Sequence, residues 1–516
     1  MNHPHIVIAP LLAALVTAIV TLLLRPYPRA QRYASLLGGV GYAATVAVLF
    51  QRVATQGTLV YQLSDWQAPF GISLVADALS TFMLALSALV AVPALLYSVE
   101  YLQEADQTLS YHALFHFMLV GVAGSFLTGD LFNLFVWFEV MLMSSYVLVV
   151  FYSGPEHTRA ALYYVVLNLI GGALMLLAIG GLYATTGTLN MADMAHRLAN
   201  ASQYGIDPAP VLGLSALLFA VFALKAGIVP FQFWVPEAYR AAPAPVTAVL
   251  AGVVKKVGVY AIVRLYFGVF AAASLPISFP GIGGESFLAF YGPVMFSMAV
   301  ASILVGGFGA VDQPDVEGVL AYSSIGQIGF IVLPLAVGAT VPAVRELAVV
   351  AALVYAVNHG VAKGLLFLAA GATFSGTGST RFANLGGLAE RDLALTGAFF
   401  VGALALVGIP PLSGFFGKLL VFDVAVKGAA WGALAAALGG AVLTIAYFSR
   451  AWNRAFWGDP VAYQRDTGLV AVVVLLAVVV VALGLGFEPF YDAAADAAGA
   501  ALDRTGYVDA VLEVTR

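Results

Sequence analysis

The stretch from Leu469 to Leu485 reads LVAVVVLLAVVVVALGL and carries no polar or charged side chain. A helix needs about 20 predominantly apolar residues to cross a bilayer. A strand of a membrane β-barrel would instead alternate between apolar and polar residues, so a continuous apolar run favours a helix. This stretch therefore predicts a protein whose fold is set by lipid.

The remainder of the chain has the same character. Of its 516 residues, 62% are hydrophobic and only 9% are charged, whereas a soluble domain carries roughly 25% charged residues. Apolar stretches of spanning length recur between residues 6 and 490, and we count about 14 of them. The sequence predicts an all-α polytopic membrane protein with about 14 transmembrane helices.

Several classes of function are excluded by what the sequence lacks. The net charge of −5 leaves no basic surface for nucleic acid. The chain has no cysteine, which excludes iron–sulfur ligation and cysteine-based zinc sites. The connections are short and contain no P-loop, so an ATP-driven pump is excluded as well. We expect neither a cofactor nor a metal.

Lysine and arginine are distributed differently along the chain. The arginines lie almost entirely at span ends and in loops, whereas all the lysines except Lys427 fall inside apolar spans. A charged residue at mid-bilayer costs at least about 2.5–3.5 kcal/mol on insertion scales. Because a buried lysine can release its proton and an arginine does not, the pattern favours groups that change charge over snorkelling or static pairing. The lysines inside spans are Lys225, Lys255, Lys256, Lys363 and Lys418.

Glu139, deep in the fifth span, is the acidic counterpart of these lysines. An unpaired buried carboxylate is costly, so we expect Glu139 to face Lys225, although the sequence does not show that they meet. Lys255 points about 100° away from Lys256 on a regular helix, and only one of the two needs to face a path. Asp77, early in the third span, is either an interfacial helix cap or a buried functional group.

The eleventh span adds a ladder of titratable and polar groups. Tyr355, His359 and Lys363 are spaced i, i+4 and i+8, so they line one helical face. Histidine titrates near neutrality, and lysine can be tuned towards it. Ser323 and Gln327 in the tenth span are also four residues apart and are candidates to hold intervening water. The ladder predicts a proton relay.

Two spans are interrupted by glycine and proline. The sequences are LKAGIVP at 224–230 and GIPPLSG at 408–414. Proline removes a backbone donor and clashes with the preceding turn. Non-helical backbone at membrane depth survives only where protein or a water-filled cavity surrounds it. Two such breaks at corresponding positions of two halves predict inverted repeats and a transport site, with a simple kink in each span as the alternative.

Five motifs together resemble a known family. They are LKAG at 224–227, WVPEA at 234–238, KVGVY at 256–260, NH at 358–359 with Lys363, and GIPP at 408–411 with Lys418. This combination resembles the antiporter-like subunits of respiratory complex I, membrane hydrogenases and multi-subunit Mrp-type cation/proton antiporters. Within that family, the chain is most similar to the D subunits of Mrp Na⁺(cation)/H⁺ antiporters.

The resemblance implies an organisation into four units. N-terminal helices, spans 1–3, occupy 1–110, and a first five-helix repeat, spans 4–8, occupies 111–270. A second repeat, spans 9–13, occupies 288–457 and is inverted relative to the first, and a C-terminal helix and tail follow at 467–516. Each repeat would hold a broken helix and a half-channel.

The resemblance also implies roles for individual residues. Glu139 and Lys225 would form the ion pair of the first half, Lys256 would be the relay on the central axis, and His359 with Lys363 would continue the path. Lys418 would be the terminal lysine facing the outer exit. Gln327 departs from the family, because many relatives carry histidine there.

The function implied by the resemblance is that of a proton-translocating subunit of a monovalent cation (Na⁺)/proton antiporter, a secondary transporter rather than an enzyme. Its partners would be other antiporter subunits in a hetero-oligomeric complex of the prokaryotic cell membrane, with lipid around it and protons as cargo. Whether Na⁺ passes through this subunit stays open. The alternatives are a proton-pumping subunit of a redox complex and, from another class, a structural scaffold.

Overall fold

A computed structural model of the chain describes residues 5–103, 107–274 and 286–512. Within these residues, eleven helices are long and apolar enough to cross a membrane, and three shorter apolar helices occupy the remaining predicted spans. The prediction of an all-α membrane protein with about 14 spans is therefore confirmed. In order, spans 1 to 14 are Ala9–Leu23, Pro28–Gln56, Ala78–Tyr101, His112–Leu127, Leu131–Val149, Pro155–Thr186, Pro208–Ala226, Ala244–Ala272, Phe287–Asp312, Val316–Thr340, Arg345–Thr377, Leu393–Val407, Trp431–Ala455 and Thr467–Leu485.

Shorter elements connect the spans. Two strands, Leu59–Gln62 and Ser73–Ala76, pair antiparallel with Leu59 opposite Ala76, a hairpin that the sequence did not predict. The loop after span 6 contains two short helices, Met191–Ala199 and Ala201–Tyr204. After span 14 the chain continues as helices, and the end of the predicted 467–516 unit lies outside the described residues. The C-terminal helices are Phe487–Leu502 and Arg504–Leu512, and one further short helix is Leu388–Arg391.

Spans 4–8 and spans 9–13 have the same order of elements. In each set the fourth member is broken: Pro208–Ala226 is followed by a separate helix, Trp234–Ala241, and Leu393–Val407 is followed by Ser413–Lys427. Each set contains five crossings, an odd number, so the second set begins on the opposite side of the membrane from the first. The two halves are therefore inverted repeats.

Both breaks are built around a glycine in the left-handed region. Gly227 has φ +68° and Gly408 has φ +92°, values that glycine adopts without the strain a Cβ would bring. At the first break, side chains bind backbone groups that lose their helical partners. The indole of Trp234 donates to the Leu224 carbonyl at 2.7 Å, and the amide of Val229 donates to the Ser302 hydroxyl at 2.9 Å.

The spans differ strongly in burial, and this places the polar residues. In spans 8 and 11 every residue of the most apolar window is buried inside the protein, and span 10 is nearly as enclosed. Spans 2, 6, 9 and 13 instead turn most of their apolar residues outward, as a lipid-facing helix does. The buried lysines of spans 8 and 11 therefore lie at the centre of the bundle and not at its lipid surface.

Span 8 is not a regular α-helix. Its α-helical segments Ala244–Val249 and Lys256–Ala261 are each followed by a π-helical stretch, Leu250–Val254 and Ile262–Val269, and Phe270–Ala272 ends it as a 3₁₀ turn. Such π turns are frequent at functional sites. Glycines also let span 8 approach span 11 closely, because a Cβ placed on Gly252 would lie 2.9 Å from the Gly360 carbonyl oxygen.

Candidate functional site

The first half of the predicted path centres on Lys225, in the last turn of span 7. Its ammonium donates to the Tyr164 hydroxyl at 3.1 Å, and that hydroxyl lies 3.0 Å from the Ser145 hydroxyl. The rings of Phe138, Tyr164 and Trp234 surround the Lys225 nitrogen at 5.5–5.8 Å from their centroids. A ring face attracts a cation within about 6 Å, so this aromatic cage stabilises the buried ammonium.

Glu139 does not form the expected ion pair with Lys225. Within the described residues no ion pair joins them, and the Oε1 atom of Glu139 is buried without a hydrogen-bond donor. That oxygen lies against span 6, where a Cβ on Gly172 would come within 2.6 Å of it. The tyrosine hydroxyl and the aromatic cage occupy the surroundings of the Lys225 ammonium.

The centre of the molecule brings Lys256 and His359 together. The Nζ atom of Lys256 lies 2.6 Å from Nδ1 of His359 and also donates to the Ala251 carbonyl at 2.6 Å. The hydrogen bond between the two nitrogens has one of two directions: either the lysine nitrogen donates to the imidazole, or the imidazole N–H donates to the neutral amine. This contact joins the first repeat to the second, and both side chains are fully buried.

The sequence left open whether Lys255 or Lys256 faces the predicted path, and the structure buries both side chains completely. Lys255 donates to the main-chain carbonyl of Ser324 in span 10 at 3.1 Å. The hydroxyl of the same serine lies 3.4 Å from Nε2 of His359. Lys255 therefore reaches span 10, while Lys256 reaches span 11.

Residues of the ladder on span 11 form hydrogen bonds with span 10. Lys363 donates to the Leu320 carbonyl at 2.8 Å and to the Ser323 hydroxyl at 2.5 Å. Tyr355 donates to the Gln327 side-chain oxygen. Both polar residues of span 10 thus contact the ladder directly, where the sequence had suggested that they hold water.

Beyond the ladder, polar contacts continue to span 13, and Lys418 lies at the second break. The amide of Gln327 donates to the hydroxyls of Thr444 at 3.1 Å and Tyr447 at 2.8 Å. Lys418 donates to the Val407 carbonyl, the last residue of span 12, at 3.0 Å, and its nitrogen lies 4.9 Å from the centroid of the Phe330 ring. Phe330 also packs on Tyr355, with centroids 5.6 Å apart. Lys418 therefore caps the broken span and borders the ladder.

One electrostatic feature is common to the buried lysines. Throughout the described ranges, no carboxylate forms an ion pair with Lys225, Lys255, Lys256, Lys363 or Lys418. Their hydrogen-bond acceptors are carbonyls, hydroxyls and one imidazole. A neutral acceptor accepts a hydrogen bond from an ammonium and also from a neutral amine. Each of these lysines can therefore lose a proton and still donate to its acceptor.

A buried ion pair that the sequence did not predict lies near the ends of spans 3 and 8. Arg264 binds both carboxylate oxygens of Asp77, at 2.7 and 2.6 Å, and its guanidinium lies 4.9 Å from the centroid of the Tyr507 ring. Asp77 also forms a capping box with Ser80 at the start of span 3. The two residues are 187 positions apart, and no local pattern marks their contact.

Two buried histidines in span 4 were also missed. His112 and His116 share the Ser35 hydroxyl, at 2.9 and 3.0 Å, and Gln107 links His112 at 3.2 Å to Arg32 at 2.7 Å. Their i, i+4 spacing on one helical face is the signal that could have singled them out. In the described part of the chain, no group of three or more histidine, cysteine or acidic residues could hold a metal ion.

Comparison with known proteins identifies the family. Residues 128–444 match the family described as NADH:quinone oxidoreductase/Mrp antiporter, transmembrane. The chain is 35% identical to the D subunit of the Na⁺/H⁺ antiporter of Alkalihalophilus pseudofirmus, over 99% of both chains. It is 36% identical to the N subunit of the NADH-quinone oxidoreductase of Desulforudis audaxviator, over 87% of this chain and 85% of that one.

A solved structure agrees with these relatives. A chain of the Mrp complex from Dietzia sp. superposes with a TM-score of 0.88 at 26% identity, covering 99% of this chain and 100% of that chain. The match extends over both repeats and the C-terminal helices. The resemblance seen in the sequence is confirmed, and the chain belongs to the family of membrane subunits shared by NADH:quinone oxidoreductases and Mrp antiporters.

Proposed function

We propose that this chain is the D-type, proton-translocating subunit of a multi-subunit monovalent cation/proton antiporter of the cell membrane. The observation that carries the proposal is the series of buried lysines in both repeats, joined at the centre by the 2.6 Å contact between Lys256 and His359. The D-type assignment follows the relative at 35% identity over 99% of both chains, which is the D subunit of a Na⁺/H⁺ antiporter. On this proposal the chain is part of a transporter and not an enzyme.

The proposed path runs through groups that can exchange protons. It starts at Glu139 and Lys225 in the first repeat, crosses the centre at Lys256 and His359, and continues through Lys363 to Lys418. Water between these groups would complete the steps that the side chains do not span. Because like charges in a poorly solvated interior repel strongly, a proton on one lysine lowers the occupancy of the next, and this repulsion couples the two halves.

The energies involved are comparable with the driving force. One elementary charge crossing the membrane field is worth about 2.3 kcal/mol per 100 mV. Two unit charges about 4 Å apart interact by about 4 kcal/mol at an effective dielectric constant near 20. The repulsion between neighbouring ammonium groups is therefore comparable in free energy with the membrane potential. Coupling between two sites requires an interaction free energy of this size.

Glu139 has a specific part in this proposal. Its unpaired Oε1 is a carboxylate oxygen that a proton or a moving ammonium would satisfy. We propose that the ion pair with Lys225 forms in another state of the cycle, when the ammonium leaves the Tyr164 hydroxyl. Opening and closing the pair would change the field at the centre.

The test uses everted membrane vesicles that contain the complete complex. Respiration acidifies the lumen, and Na⁺ is then added while the recovery of the lumenal pH, which is the collapse of the pH gradient, is followed by fluorescence. We expect Lys225→Ala and Glu139→Ala each to lower the recovery rate by about tenfold or more, and Lys427→Ala, at an exposed position, to leave it unchanged. Normal recovery in both path variants, with normal assembly, would contradict the proposal.

The second candidate is a proton-pumping subunit of a redox complex, such as complex I or a membrane hydrogenase. It is favoured by the 36% identity with the N subunit of an NADH-quinone oxidoreductase. Purification in mild detergent separates the two, because the redox candidate requires iron–sulfur subunits to copurify and the antiporter requires only other membrane subunits. A pure scaffold, the third possibility, requires every buried lysine to tolerate a neutral replacement.

A further inference from the structure

We propose that Lys255 is a second proton-carrying lysine on span 8, which links the first helix break to His359. This inference rests on the proposed proton path and adds a residue to it. Adjacent residues on an α-helix point about 100° apart, so normally only one of Lys255 and Lys256 would face a common path. Here both side chains are fully buried and both reach the second repeat.

The π turn before the lysines explains how both reach the centre. In residues Leu250–Val254 the helix is π-helical, and the amide of Lys255 donates to the Leu250 carbonyl, five residues back, at 3.2 Å. The Ala251 carbonyl, which an α-helical Lys255 would have bound, instead accepts from the Lys256 ammonium at 2.6 Å. The turn thus anchors Lys256 near span 11 and directs Lys255 towards span 10.

Ser324 connects Lys255 to the histidine. Its carbonyl accepts from the Lys255 ammonium at 3.1 Å, and its hydroxyl lies 3.4 Å from Nε2 of His359. The other imidazole nitrogen contacts Lys256 at 2.6 Å. His359 therefore has a lysine on either side, one in direct contact and one through a single serine.

The opposite side of Lys255 borders the break in the first repeat. A Cβ placed on Gly227 would lie 3.5 Å from the Lys255 nitrogen and 3.9 Å from its Cε. Gly227 ends span 7 two residues after Lys225. The Lys255 ammonium thus occupies the space between the break that carries Lys225 and the serine that contacts His359.

The charges around Lys255 favour a lysine that loses its proton during part of the transport cycle. The titratable groups near it are Lys256 on its own span and His359 and Lys363 on span 11, all of them bases, and within the described residues no carboxylate pairs with it. Several positive charges this close in a low-dielectric interior repel one another. A static structural lysine would need a counter-charge to be worth burying.

The experiment compares Lys255→Met and Lys255→Arg in the complete complex, in the same everted vesicles, with Lys427→Met as the matched control. Methionine has a similar length and carries no proton, whereas arginine keeps the charge and a donor for the Ser324 carbonyl but holds its proton. We expect both variants to lower Na⁺-driven pH recovery by about tenfold, with normal copurification of partner subunits. A purely structural lysine would be rescued by arginine.

The outcomes are distinguishable. Recovery above about one fifth of the wild-type rate in either variant overturns the inference. If Lys255→Met does not assemble, Lys255→Gln, which keeps an N–H donor for the carbonyl, is judged by the same threshold. A normal Lys255→Met together with an inactive Lys225→Ala overturns only this inference, whereas normal rates in both would overturn the proposed function as well.

Discussion

Two buried clusters of this molecule hold basic side chains in opposite ways. Arg264 binds both oxygens of Asp77 at 2.7 and 2.6 Å, so a full counter-charge balances it. Lys363 lies equally deep but donates only to the Leu320 carbonyl and the Ser323 hydroxyl, at 2.8 and 2.5 Å. The first arrangement fixes a charge, and the second leaves the charge free to change.

The residue types match these roles. Arginine keeps its proton and makes strong charge-assisted hydrogen bonds to a carboxylate. Here one terminal nitrogen of Arg264 donates to both oxygens of Asp77, and the pair holds span 8 against the start of span 3. A lysine bound by neutral oxygens keeps hydrogen-bond partners after losing its proton. Both basic side chains are buried, so burial does not distinguish them. The presence of a carboxylate partner distinguishes the structural arginine from the proposed proton-carrying lysine.

The largest expected effect comes from removing the Arg264–Asp77 ion pair, and it falls on the stability of the complex. Asp77→Ala leaves the buried Arg264 guanidinium without its counter-charge, and removing one partner of a buried pair costs about 3–5 kcal/mol. We expect a marked fall in the thermal stability of the purified complex, measured by the temperature at which it loses its monodisperse elution profile. Transport per assembled complex should change far less than assembly does.

A double variant sharpens this prediction. Replacing both partners, Asp77→Ala with Arg264→Met, removes the orphaned charge, and we expect it to recover much of the stability lost in Asp77→Ala. If Asp77→Ala alone is as stable as the wild type, the ion pair does not stabilise the packing of span 8 on span 3, and the contrast between the two clusters fails.

The next effect falls on the relay. His359→Leu removes the acceptor and donor between Lys256 and Ser324, and loss of a proton-transfer group typically lowers rates by about 10²-fold or more. We expect Na⁺-driven pH recovery to fall by that order while thermal stability changes little. His359→Gln, which keeps hydrogen bonding without titrating, serves as the control and should be equally inactive. An active His359→Gln would show that the histidine only holds hydrogen bonds.

A smaller effect is expected at the aromatic cage. Tyr164→Phe removes the hydroxyl that accepts from Lys225 at 3.1 Å but keeps the ring beneath the ammonium. A single hydrogen bond to a charged group is worth about 1.5 kcal/mol or more, so we expect the recovery rate to fall by about tenfold. Tyr164→Leu, which removes the ring as well, should have the larger effect, and equal rates in the two variants would argue against the cage.

The smallest effect is expected at the surface. Lys427 pairs with Asp423 at 2.7 Å, and the two side chains are 57% and 36% exposed. Exposed pairs of this kind contribute about 0–1 kcal/mol. Lys427→Met should leave both assembly and transport unchanged, and a large loss of transport would place a functional lysine outside the buried path.

Much of this fold can be predicted from the sequence, because lipid imposes a strong and local requirement. Continuous apolar runs such as Leu469–Leu485 locate the spans, and the glycine–proline motifs at 224–230 and 408–414 locate the breaks. The i, i+4, i+8 spacing of Tyr355 to Lys363 defines the face that meets span 10. Each of these signals is confined to one segment of the chain.

What could not be predicted depends on contacts between distant segments or on irregular helix geometry. The pairing of Asp77 with Arg264 joins residues 187 positions apart. The two neighbouring lysines of span 8 both reach the centre, and a π turn precedes them. The separation of Glu139 from Lys225 depends on how the Tyr164 hydroxyl and the surrounding rings fill the space, which helical spacing does not report.

The buried lysines, which are held by neutral acceptors, are proposed to carry protons. Lys363→Gln tests this proposal most directly, because glutamine keeps an N–H donor for the Leu320 carbonyl and an oxygen for Ser323 but cannot exchange a proton. In everted vesicles holding the fully assembled complex, we expect Na⁺-driven pH recovery to fall by about tenfold or more. Recovery at the wild-type rate would contradict the account.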